Sequence, residues 1–442
     1  MGEDLTVLII GAGAREHVIS QLHERSSQVR KIIISPGNDF IGYNRDKEVI
    51  VDPNSDLKDP QTILTIAEKY KPDRIEVAQE DAIALGTVDL LKERGYSVFG
   101  LSQKAAKIEY SKVWARQFMA RNDIPSPGWQ DFNDRDRAKA MIQYRYTIDP
   151  NAVFYVKADG LAAGKGAIRV ENITEAYDAI NQMKSFGKSG DKFLIEREME
   201  GEEFSTYAIS DGISWHIFKS AQDNKRVFEK DRGPNTGGMG AISPAMVTNG
   251  NENKIEDEMI AKVIRGMNRE GTPFVGVLYL GGIKTANELR VIEYNARWGD
   301  PEAQVVMPGI LNDYMGILDA CLTGTLDKIT IKEDSKTRVC IVGVSKGYPG
   351  DHSLVNGKRI FGLEEVVKMP EILVFGAGIK IIDKKFYANG GRLFNIVAEG
   401  DNIVQARERA NEAMKLISIE GENLHYRKDI GLRDELRFRD KA

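Results

Sequence analysis

Over the first hundred residues, short apolar runs alternate with segments of helical period. The apolar stretches at 6–10, 31–35, 74–77 and 96–99 predict strands, and the segments 16–25, 60–69 and 82–94 predict helices. This alternation predicts a parallel, doubly wound sheet. Residues 102–124 predict a helical connection that ends where Pro125 and Pro127 break it. From 127 to 195 the pattern predicts a small unit, with strands at 154–157, 166–170 and 193–196 and a helix at 174–184. A larger mixed block follows, with a helix at 254–269 and strands at 273–284 and 289–295. The remainder returns to short strands (338–344, 379–382, 392–399) and one long helix at 402–417. The expected fold class is therefore α/β and multidomain, divided at 1–104, 105–126, 127–195, 196–325 and 326–442. The sequence contains no internal repeat, low-complexity tract or coiled-coil heptad.

With 442 residues, the chain is too long for one hydrophobic core. Its 42% apolar and 29% charged residues are those of an ordinary soluble protein. A net charge of −5 argues against a nucleic-acid binder that relies on a broad basic face. No apolar run approaches the ~18 residues that suit a membrane helix. The N-terminus lacks the basic region and cleavage site of a signal peptide and reads as a first strand. Cys321 and Cys340 are the only cysteines and form neither a zinc framework nor a disulfide scaffold. These features predict a cytoplasmic protein with no membrane or nucleic-acid partner. With only five histidines, imidazole is not expected to carry the chemistry.

Candidate chemistry is densest in VIEYNARWGDPE, residues 291–302. Glu293, Asn295 and Arg297 stand at alternate positions, so a strand would turn all three to one face. Carboxylate and amide oxygens are hard ligands suited to Mg²⁺, and a guanidinium beside them suits charge developing during phosphoryl transfer. A half-buried strand with solvated polar residues would show the same alternation. Two basic, glycine-rich segments upstream favour a site. KADGLAAGKG, residues 157–166, carries Lys157 and Lys165 around small residues, as a phosphate clamp would, but lacks the Walker A pattern. DNKRVFEKDRGPNTGGMG, residues 223–240, reads either as a solvated loop or as a defined path around a small polar substrate. In LIEREMEGEEFS, residues 194–205, backbone groups could meet an adenine edge and Glu203 a ribose. Gly11 and Gly13 in GAGAREH follow the first strand and suit a phosphate at a helix N-terminus. With Glu at position 16 and no acidic residue ending the second strand, GAGAREH is a poor dinucleotide fingerprint.

Taken in order, GAGAREH, SPGN, EYSK, KADGLAAGKG, GEEFS, DNKR with GPNTGGMG, and EYNARWGDPE resemble the phosphoribosylamine–glycine ligases (glycinamide ribonucleotide synthetases) of the ATP-grasp superfamily. The resemblance covers residues 5–310 and continues more loosely to the C-terminus. It implies an N-terminal doubly wound domain, ATP-grasp central domains with a small mobile lid, and a C-terminal mixed α/β domain. Lys112, Lys157 and Lys165 resemble nucleotide-binding lysines, Glu196 to Met199 the adenine-contacting linker, and Glu203 the ribose ligand. Glu293 and Asn295 match the ligands of Mg²⁺ (or Mn²⁺), and Arg297 the guanidinium that stabilises the transferring phosphate. Gly13, Arg15, Asn38, Asp223, Lys225, Asn235 and Asp300 correspond to the phosphoribosylamine side. The implied substrates are ATP, glycine and 5-phosphoribosylamine, handled by a monomer or small homo-oligomer. Asn224, Gln79, Trp298 and Arg232 depart from the usual pattern. A different ATP-grasp carboxylate–amine ligase, a nicotinamide-dependent dehydrogenase and a non-catalytic ATP-binding protein are the alternatives.

Overall fold

Val7, Leu8, Ile9 and Ile10 are all fully buried, because the first strand, Leu5–Gly11, lies in the middle of a parallel sheet covered on both faces. The computed structural model describes residues 4–160 and 166–440. The order across this sheet is Glu48–Val51, Val29–Pro36, Leu5–Gly11, Arg74–Val77, Val98–Phe99. The order reverses between Leu5–Gly11 and Arg74–Val77, which opens a crevice at the ends of those two strands. The helix predicted over 82–94 is two helices, Glu80–Ala84 and Thr87–Glu93. Gly86 separates them at φ +83°, a conformation that glycine adopts without strain. Gln79 caps the first, its side-chain oxygen accepting from the N–H groups of Asp81 and Ala82 at 2.8 and 3.2 Å.

The connection is likewise broken, into Lys107–Tyr110 and Lys112–Arg121. Ser111 is extended between them and its hydroxyl accepts from the Trp114 N–H at 3.2 Å. The small unit is an antiparallel sheet in the order Trp129–Phe132, Phe193–Arg197, Phe154–Ala158, Ala167–Val170. Its helices are Arg135–Ile148 and Ile173–Gln182. The first of these was not predicted. Its buried stripe is only Ala138, Ile142 and Tyr146, four residues apart within a strongly charged segment.

The central sheet is antiparallel, in the order Trp215–Ile217, Glu202–Asp211, Val275–Lys284, Leu289–Asn295. A further antiparallel sheet takes strands from both sides of residue 326: Gln222–Asp223, Gly240–Ser243, Thr337–Ser345, Arg392–Gly400 and Ile372–Gly376. The helix Ile403–Lys415 packs Ala406, Ala410, Ala413 and Met414 into the core beneath it. No helix among the described residues is long and apolar enough to cross a membrane.

Candidate functional site

The strand Leu289–Asn295 is not regular. Gly281 pairs with Glu293 and Gly282 with Val291, so Ile292 is an extra residue, a β-bulge. In a regular strand Ile292 and Glu293 would face opposite sides of the sheet. Here both line one cleft. The ladder ends at Asn295, because the next amide, Ala296 N–H, donates to Glu109 Oε2 at 2.7 Å instead of to a neighbouring strand. Arg297 therefore does not continue the alternation the sequence predicted. Its guanidinium pairs with Glu80 Oε2 at 3.3 Å and Glu109 Oε1 at 3.1 Å. Burial would raise the Glu80 carboxyl, yet Arg297 and Arg15 hold it down at about 2. Burial and the Glu80 charge together push Glu109 upward.

The cleft has a volume of about 400 Å³ and lies between the small antiparallel unit, the helix Lys112–Arg121 and the central sheet. Of the residues singled out in the sequence, Lys112, Lys157, Glu196, Met199, Glu203, Asp223, Lys225, Asn235 and Glu293 all line it. Lys165 lies outside the described residues. Burial opposes ionisation of Glu293, but Lys225, Lys112 and Lys157 hold its carboxyl below the usual range. Among the described residues, no group of three or more Asp, Glu, His or Cys converges to hold a cation. Glu293 lines the cleft and Asn295, two residues on, is not among its lining residues; a carboxylate and an amide oxygen are donor types that fit an ion completing its shell with phosphate oxygens and water.

Glu196 is buried, and its carboxylate is shared by Lys157 and Arg116, each at 2.5 Å. Against burial, these two cations hold Glu196 at about 2. Because the folded value is depressed, the pair's contribution to stability is complete above the ordinary value of 4.5 and is lost as pH falls from there toward about 2. Glu196→Gln should therefore flatten the acid limb of the urea-unfolding free energy in that window. An unchanged acid limb would show that the pair does not contribute. Arg116 was missed in the sequence, although it sits four residues after Lys112 on one helix and so shares its face. Glu109 was also missed, although it belongs to the EYSK segment.

Residues 223–240 form a defined path. Arg226–Phe228 pairs with Arg232–Asn235, the Thr236 N–H donates to the Lys225 carbonyl, and the Met239 N–H to the Asn224 carbonyl. Asn224 is tied to Gly240 through both its backbone and its side-chain amide, so a neutral residue serves there. Arg232 is exposed. Lys225 reaches Glu203 at 2.7 Å; Glu203, Tyr279 and Glu293 outweigh burial and raise its pKa well above the usual range. Burial and the Glu302 charge push the Asp223 carboxyl well up, and its Oδ1 has no hydrogen-bond partner among the described residues. Gly238, at φ +114°, brings the loop against Asp223 and Pro301; a Cβ there would lie 2.4 Å from Pro301 Cδ.

The C-terminal part braces this loop. Arg392 donates to the carbonyls of Gly237 and Asp300 at 2.7 and 3.0 Å and pairs with Asp300 Oδ2 at 3.1 Å. Tyr348 Oη accepts from the Gly237 N–H. Buried Arg427 spans Asp231 Oδ1, the Arg226 carbonyl and Asp429.

At the crevice of the parallel sheet, the expected residues are engaged internally. Glu16 Oε2 accepts from the Gly13 N–H at 2.6 Å, so an internal carboxylate stands where a phosphate was expected. Arg15 is spread over Glu16, Glu80 and the Trp298 carbonyl. Asn38 donates to the carbonyls of Ala12 and Gly376 and accepts from the Phe40 N–H. Asp300 lies beside Gly13: a Cβ on that glycine would be 3.3 Å from Asp300 Oδ2. Trp298 is buried against Tyr207 and Phe218.

Models of phosphoribosylglycinamide synthetase match the chain in three pieces: the N domain over residues 5–109, the ATP-grasp (A) domain over 110–303 and the C domain over 338–433. The phosphoribosylamine–glycine ligase of Caldanaerobacter subterraneus subsp. tengcongensis is 38% identical over 431 residues, covering 96% of this chain and 99% of that one. The chain belongs to the phosphoribosylglycinamide synthetase family. A solved structure from the family, the phosphoribosylamine–glycine ligase of Thermotoga maritima, is 28% identical with a TM-score of 0.78, covering 96% of this chain and all of that one. The fold extends beyond the family. The biotin carboxylase domain of Hydrogenobacter thermophilus 2-oxoglutarate carboxylase shares it at a TM-score of 0.72 and 15% identity, over 96% of this chain and 92% of that one.

Proposed function

We propose that the chain joins glycine to 5-phosphoribosylamine at the expense of ATP, yielding glycinamide ribonucleotide, ADP and phosphate in purine biosynthesis. The observation that carries this reading is a cleft lined by Lys112, Lys157 and Glu293 on one side and by Asp223, Lys225 and Asn235 of the braced 223–240 segment on the other. A carboxylate is a poor electrophile: its charge repels nucleophiles and oxide is a bad leaving group. Transfer of the γ-phosphate to the glycine carboxylate, giving glycyl phosphate, removes both obstacles. Lys112 and Lys157 bind the nucleotide phosphates, Glu196 to Met199 meet the adenine, and Glu203 meets the ribose. Mg²⁺ or Mn²⁺ held by Glu293 and Asn295 would neutralise charge across the phosphate oxygens. Arg297 faces the charge that develops on the transferring group. Gly13, Arg15, Asn38, Asp223, Lys225, Asn235 and Asp300 form the phosphoribosylamine side, where Asp223 has an uncommitted oxygen.

The amine is already nucleophilic, so its attack on the acyl phosphate needs no Ser–His or Cys–His pair. Water would destroy the intermediate, and the antiparallel unit over the cleft is the lid that excludes it. The reading implies a cytoplasmic enzyme, monomeric or a small homo-oligomer, acting on small molecules. The test is ADP release from MgATP with glycine and freshly generated phosphoribosylamine, each omitted in turn. Release that requires both and forms the glycinamide is expected. Release that accepts only another acid or amine would discard the substrate assignment.

A further inference from the structure

The β-bulge at Ile292 leaves a carbonyl outside the regular ladder, and one side chain takes it. Arg116 Nη2 donates to the Ile292 carbonyl at 2.6 Å, while its Nε holds Glu196. Arg116 and Glu196 are both buried, so this is not a solvated surface pair. The planar guanidinium fixes the angle between its two bonds, which a lysine ammonium does not. On one side the anchored carbonyl belongs to the residue immediately before Glu293. On the other, Glu196 holds Lys157. Three segments distant in sequence, the helix Lys112–Arg121, the strand Phe193–Arg197 and the bulged strand, thus meet on one buried cation.

We infer that Arg116 is a positioning residue: by holding the bulge carbonyl and Glu196 together, it aims Glu293 and Lys157 at the same phosphate group and so couples divalent-cation binding to nucleotide binding. This rests on the nucleotide reading of the cleft, not on the identity of the acid or amine. Groups that orient a metal ligand from behind typically alter cation affinity by about 10–100-fold when removed.

The test is calorimetric titration of the full chain with ADP, with Mg²⁺ and with EDTA, for the wild type, Arg116→Met and Arg116→Lys. The ratio of the two affinities measures the coupling and needs no turnover. In the wild type Mg²⁺ tightens ADP. In Arg116→Met that gain should shrink about tenfold or more, with ADP binding in EDTA weakened less. Arg116→Lys can reach Glu196 but leaves the Ile292 carbonyl unheld, so it too should lose the gain. An undiminished gain in either folded variant, whatever its melting temperature, would make Arg116 merely structural and overturn the inference. If Arg116→Met does not fold, Arg116→Lys decides alone. A wild type that binds no ADP would overturn the nucleotide reading and this inference with it, whereas ADP binding that ignores Mg²⁺ would overturn this inference alone. Strong Mg²⁺ coupling without glycine-dependent turnover would instead discard only the substrate assignment.

Discussion

Replacing Glu293 with alanine is expected to lower kcat/KM for ligation by about 10³, with little change in stability. The side chain opens into the cleft rather than the core, so its removal leaves no packed cavity. The magnitude follows from losing one charge-stabilising group of the proposed site, where a well-placed group contributes about 10²–10³. A second readout separates this from general damage. Lys112, Lys157 and Lys225 all act on the Glu293 carboxylate. On the proposed reading, Lys112 and Lys157 would then meet the nucleotide phosphates unopposed. Metal-free ADP should therefore bind Glu293→Ala at least as tightly as the wild type, while added Mg²⁺ brings no further gain. Steady-state kinetics and calorimetry with ADP check both arms. If metal-free binding fell in parallel with activity, Glu293 would be a nucleotide contact and not a cation ligand.

Glu293 was legible because apolar residues bracket it and its strand signal is local. Four strands of the parallel sheet were legible for the same reason, short apolar runs between helical segments, and an α/β multidomain fold followed; the short edge strand Glu48–Val51 was not. The limits appear where structure depends on distant partners. Nothing local in VIEYN marks Ile292 as a bulge, because the extra residue is defined only against Gly281 and Gly282. Arg297 reads as the next residue on the same face until Glu109, from another segment, takes the Ala296 amide and ends the strand. Arg116 and Arg427 look like ordinary helix and tail arginines. Their importance lies in what each reaches, Ile292 in one case and Arg226 and Asp231 in the other. The helix Arg135–Ile148 escaped because three buried positions four residues apart make a weak period among seven polar or charged neighbours.

For Arg297→Met, two separable losses are expected. Under the proposed role of Arg297, activity should fall by about 10³ or more, as for removing a guanidinium that faces a transferring phosphoryl group. Stability at neutral pH should fall by about 3 kcal/mol, because Glu80 and Glu109 are left near one another without their shared cation. The pH dependence identifies the cause. In the wild type Glu80 is depressed to about 2, so its contribution is complete above the ordinary 4.5 and lost as pH falls below it. In Arg297→Met that contribution is gone and the two carboxylates repel, so protonation relieves the variant. The stability gap should narrow as pH is lowered toward 4.5 and below. Urea unfolding across this range reads it directly. A gap that does not change with pH would locate the destabilisation in lost packing and not in the carboxylates.

The sheet that spans residue 326 makes the C-terminal part a frame and not an appendage. Gly240–Ser243 pairs along its length with Thr337–Ser345, and Arg392 and Arg427 grip the loop that precedes it. A chain truncated between those strands would bare a row of unpaired amides and carbonyls on the Gly240–Ser243 edge, a template for aggregation. It would also release the hairpin that carries Asn235. Splitting the gene there would yield two polypeptides that must be synthesised together and assemble around the shared sheet. Swapping C-terminal parts between relatives would transplant half of the loop's support, so chimeras joined there inherit the geometry of the 223–240 loop from neither parent.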